Sequence, residues 1–146
     1  MSLDGFVLSN RIISRNQDWQ RALDELDFKV TLLFHDVDLK TRHGHLPAIW
    51  SGREAGFECG PTDLHELVET YDDFDFGGPW SHAYAFYWST LPGLLGAYMG
   101  MAAYAHATEG VVFDPQEGVV LTARAAIEQT RTIERDYPRL EALINS

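Results

Sequence analysis

The chain has 146 residues, 22 acidic against 11 basic, and a formal charge of −11. That length fits one domain able to bury about two thirds of its unfolded surface, and that charge disfavours nucleic acid and anionic membranes as partners, since both require a positive patch. A lone cysteine, Cys59, rules out an intramolecular disulfide and a cysteine-rich metal cage. The first residues, Met1–Asp4, carry no basic run followed by an apolar stretch, so no secretory signal is expected and a reducing cytoplasm is the expected compartment.

In chain order, Gly5–Ser9 reads as a short strand. Asn16 offers a helix cap, and Trp19, Ala22, Leu23 and Leu26 form an apolar stripe that ends near Asp27. Lys29–His35 reads as a strand, and the polar segment Asp36–His45 as an exposed connection. Leu46–Ser51 and Ala55–Gly60 are two apolar runs around Gly52-Arg-Glu54, a spacing that predicts a hairpin between them. After Pro61, Thr62 or Asp63 caps a helix carrying Leu64, Leu67, Val68 and Tyr71, which stops before the acidic, turn-rich stretch Asp72–Pro79.

Phe76–Thr108 contains no Asp, Glu, Lys or Arg in a protein that is otherwise 23% charged, so it is expected to form the interior. Its first part, His82–Ser89, alternates small residues with large aromatics as a strand packed on both faces does. Its second part opens on Ser89-Thr-Leu-Pro92, a hydroxyl cap with proline in the first turn, and runs as a helix to Thr108 and Gly110. The helix has too few continuous apolar residues to cross a bilayer, which takes about 20. Gly96 and Gly100 are spaced to let it lie close on a sheet. Gly110–Leu121 is expected to be a hairpin around Asp114–Gly118, and Thr122 caps a last helix with Ala123, Ala126, Ile127, Thr130 and Ile133 inward; Pro138 should break it before a final amphipathic turn, Leu140–Ile144. The predicted fold class is therefore α+β, one domain over 1–146, with a mostly antiparallel sheet and helices packed on it. The competing architecture, a small doubly wound sheet, is disfavoured by the two hairpin signals.

No phosphate-binding GxxxxGK, GxGxxG, GxSxG or HExxH motif occurs. Asp73-Phe-Asp75 with Gly78 fails as a calcium loop, because Gly77 and Tyr84 stand where ligands are needed. His43 and His45, two apart, would share one side of an extended segment and could hold a metal together with His35, Asp36 or Asp38; a solvated loop is the simpler reading. His82 and His106 are expected at the margin of the core, hydrogen-bonded. Glu54 with Glu58, and Asp63 with Glu66, are carboxylate pairs suited either to acid–base work or to a wet face and a helix cap. Cys59 precedes a helix start but reads as a buried structural thiol. No cofactor is expected.

The segment Met101–Gly118, with its alanine-rich helix followed by Gly-Val-Val-Phe-Asp-Pro-Gln, is similar to a pattern in small uncharacterised bacterial α+β proteins, some of which resemble immunity proteins of toxin systems. The resemblance covers the C-terminal third and implies a turn rather than an active site. Together these features favour a non-enzymatic acidic binding protein, immunity-like, that meets a basic protein partner through Asp72, Asp73, Asp75, Glu117 and Trp80. The alternative is a small metal-dependent hydrolase using His43, His45 and nearby carboxylates, and association as a homodimer is left open.

Overall fold

A computed structural model describes residues 3–34 and 37–145. Met1, Ser2, His35 and Asp36 lie outside the described residues, so the end of the strand expected at His35 and two of the suggested metal ligands are not placed. Strand β1 (Leu3–Ser9) leads to helix α1 (Asn16–Glu25) and strand β2 (Val30–Leu32). Then come β3 (Gly44–Leu46), β4 (Ala48–Trp50), β5 (Arg53–Glu54), β6 (Phe57–Thr62), α2 (Leu64–Thr70), β7 (His82–Trp88), α3 (Leu91–Thr108), β8 (Val111–Asp114), β9 (Val119–Thr122) and α4 (Ala123–Ile144). Six strands form an antiparallel sheet in the order β3-β6-β7-β1-β8-β9, and β2-β4-β5 form a second, smaller sheet. The predicted α+β class, antiparallel sheet with helices packed on it, is the observed one.

The neutral block is interior, as its composition requires. Helix α3 is buried nearly all round, because the large sheet, the small sheet, α1 and α4 each pack on it. Thr90 caps it by accepting from the Gly93 amide, and Pro92 sits in its first turn. Gly96 is needed because any Cβ there would collide with the Ala55 carbonyl oxygen. Trp19 of α1 stands at the centre, edge-on to Phe57, Tyr84, Phe86 and Tyr104, with its indole Nε1 donating to the Gly100 carbonyl at 2.9 Å. The left-handed residue closing α3 is Glu109 (φ 59°), not Gly110. Gly110 is fixed by space instead, since a Cβ there would strike the Leu8 carbonyl.

Four local expectations are corrected. Asn16 does not cap α1, whose cap residue is Arg15. The Asn16 amide turns inward, donating to Phe34 O and accepting from Val37 N, and so holds the chain that follows β2. The hairpin after Leu46 is only β4–β5, joined by Ser51 and Gly52 at positive φ (50° and 74°). The second apolar run leaves it and joins the main sheet as β6, where Phe57 and Cys59 alternate into the core under α3. The connection Asp36–His45 ends in strand, because β3 begins at Gly44 and pairs with β6.

Pro138, finally, does not break α4. Tyr137, 1% exposed, packs on Trp50 at 4.7 Å, and Arg53 bridges β5 to Glu141 through two bonds of 2.6 and 2.7 Å while stacking on both rings. These contacts lie on both sides of the proline and hold the helix across the missing amide. In the last turn Leu143 and Ile144 are exposed.

Candidate functional site

Strand alternation gives the large sheet a second face, opposite α3. There β1 presents Asp4, Phe6 and Leu8, β7 presents Ala83, Ala85 and Tyr87, and β8 presents Phe113. One end of this face is covered by α2 and residues 71–80. Tyr71, Phe74 and Phe76 surround Phe113 with ring centroids at 4.8, 4.9 and 5.0 Å, filling the space above the two alanines. Asp63 caps α2 by accepting from the Glu66 amide.

The acidic stretch is thereby brought to the β8–β9 turn. The edge of Phe74 comes within 4.0 Å of where a Cβ on Gly118 would stand, so exposed Asp72, Asp73 and Asp75 share a surface with exposed Glu117. Asp75 also accepts from the Gly77 amide. Trp80 is half-buried, its ring against Gly78 and its Nε1 donating to Phe76 O at 2.7 Å. Half-exposed Tyr71 and Phe74 and exposed Val119 supply an apolar centre within this acidic rim. Asp114, from the segment that carries the resemblance, is buried and fully engaged: it accepts from Tyr98 Oη and from the amides of Gln116 and Glu117. It ties the turn to α3 and presents no free carboxylate.

The other end of the second face is uncovered and polar. In register across four strands lie His45, Glu58, Tyr87 and Asp4, and Gln116 Nε2 donates to Asp4 at 2.6 Å, linking this row to the acidic turn. Burial, and then the Asp4, Glu58 and Tyr71 charges, push the Tyr87 phenol above its ordinary range. Beyond Tyr87 the two sheets part to leave a cleft of about 460 Å³, lined on its polar side by His45, Glu54, Glu58, Tyr87, Ser89 and Thr90. Leu33, Pro47 and Ile49 supply its apolar lining.

The suggested metal ligands do not assemble. His43 and His45 do share a face, one imidazole over Gly60 and the other over Gly56, on either side of Glu58. Among the described residues, however, no three of His, Cys, Asp and Glu are grouped to hold an ion, and Asp38 accepts the Lys40 amide. His82 and His106 are exposed rather than seated at the core margin. Cys59 is buried as expected, and burial pushes its thiol up to about 11 against the opposing influence of Tyr84 and Arg42. Trp50, like Trp80, is committed within the molecule, donating to Glu134 and packing on Tyr137.

Sequence reading paired Glu54 with Glu58 but missed Tyr87 and His45 as their neighbours. The available signal was alternation, which places Glu58 and Tyr87 on the outward side of strands whose other side is aromatic. No helix among the described residues is long and apolar enough to cross a membrane. No family model matches the chain, and neither a curated protein nor a solved structure matches it.

Proposed function

We propose that this is a non-enzymatic, immunity-like binding protein whose acidic face engages a basic protein partner. The observation that supports this reading is the packing of Phe74 on Phe113 of β8, with its ring edge 4.0 Å from where a Cβ on Gly118 would stand, which sets the segment of exposed Asp72, Asp73 and Asp75 beside the turn that carries exposed Glu117. None of Asp72, Asp73 and Glu117 forms an ion pair among the described residues, so their charge is available to a partner. An apolar centre within a charged rim is the arrangement that steers encounter by charge and holds the complex by burial.

The test uses an arginine- and lysine-rich peptide as probe. Association should slow steeply from low to physiological salt, and a D72N/D73N/D75N/E117Q variant should lose most of that salt-dependent rate with no change in fold. Binding that ignored both salt and these substitutions would sink the reading.

A further inference from the structure

We propose that the cleft between the two sheets receives the guanidinium group of an arginine side chain carried by the basic partner; the inference rests on the binding role proposed above. Glu54, from the small sheet, and Glu58, from the large one, both line the cavity, and neither side chain has an ion-pair or hydrogen-bond partner among the described residues. A cavity that holds two unpaired carboxylates repels anions and favours a cation. The walls specify more than charge. Leu33, at 48% exposure one of the most open large apolar side chains, lines the cleft with half-buried Pro47 and Ile49, a surface for the apolar stem of a long basic side chain.

Half-buried Tyr87, paired with Glu58 across β6 and β7, also lines the cleft and supplies a ring face for a planar cation and a hydroxyl beside it. The His45 imidazole is seated over Gly56 because that residue has no Cβ, which would lie 2.8 Å from the ring, and it closes the cleft at the β3 edge. A guanidinium fits this set better than an ammonium, since its fixed fork can bridge two carboxylates while its face stacks on a ring. Through Tyr87 and Asp4 the cleft is continuous with the acidic turn, so one partner can span both.

Nα-acetyl-arginine amide titrated into the 15N-labelled full chain is the direct probe, with the citrulline analogue as a neutral isostere. Saturable shifts are expected at the amides of Gly56, Glu58, Tyr87 and Ser89, with the citrulline analogue weaker by about tenfold or more, the worth of one charge-assisted bond. An E54Q/E58Q variant should lose the arginine shifts, whereas D72N/D73N/D75N should keep them. Shifts that fail to saturate, that citrulline reproduces, or that survive E54Q/E58Q overturn the proposal. A basic peptide whose binding is lost only in D72N/D73N/D75N upholds the acidic face while removing the cleft; arginine shifts lost in E54Q/E58Q, with no salt-dependent peptide binding at the acidic turn, uphold the cleft alone.

Discussion

On the α3 side of the large sheet, strands β6 and β7 bury Phe57, Cys59, Tyr84, Phe86 and Trp88, whereas on the other side the same strands carry Glu58, Gly60, Thr62, Ala83, Ala85 and Tyr87. The inner face brings its own rings and is sealed by helices. The outer face brings small residues and borrows Tyr71, Phe74 and Phe76 from a connecting segment. Alternation alone thus yields a scaffold on one side and, on the other, a floor on which a loop can display charge. The proposed binding surface lies where the covering is a loop rather than a helix.

The contrast is broken most severely on the inner face. Trp19→Ala should cost about 3–5 kcal/mol, read from denaturant midpoints, because it empties the centre of four aromatic contacts and removes the indole bond to the Gly100 carbonyl. Asp114→Ala crosses between the faces: it strips the Tyr98 hydroxyl of its acceptor and unpins the β8–β9 turn. A loss of about 2–3 kcal/mol is expected. Phe74→Ala acts on the outer face alone and, the ring being half-exposed, should cost about 1–2 kcal/mol while weakening the peptide.

Cys59 sharpens the comparison through pH. Its thiol titrates near 9 when unfolded and near 11 in the fold, so the unfolded chain loses its proton first. Stability contributed by the protonated thiol is present below pH 9 and lost as pH rises from about 9 to about 11. A Cys59→Ala variant should show a shallower decline over that window. Smallest of all, Asp72→Asn and Asp73→Asn should leave stability within about 0.5 kcal/mol of the parent and alter only salt-dependent binding.

The fold was legible where local chemistry decides. A charge-free block had to be interior, Thr90, Asp63 and Thr122 announced three helices, and Asp114-Pro-Gln-Glu-Gly118 announced a turn. It was illegible where distant groups decide. Nothing around Ala55 says that the chain will abandon one sheet for another, which happens because Phe57 and Cys59 are needed under α3. Pro138 has the local signature of a stop, and Arg53, far upstream, overrides it. Acids could be recognised in Asp72–Asp75, but their meeting with Glu117 depends on a single ring edge, and the cleft on the divergence of two sheets.

From Leu95 to Ala105 helix α3 has no wet side, and this governs how the molecule opens. A segment apolar on every side cannot detach as a unit with a solvated exterior, and Gly96 lets it sit so close to Ala55 that the small sheet must move before it can. Amide hydrogens of Leu95–Ala105 should therefore exchange with deuterium only through global unfolding, at one common free energy. Those of residues 71–80 should exchange through a separate, shallower opening that leaves the helix untouched.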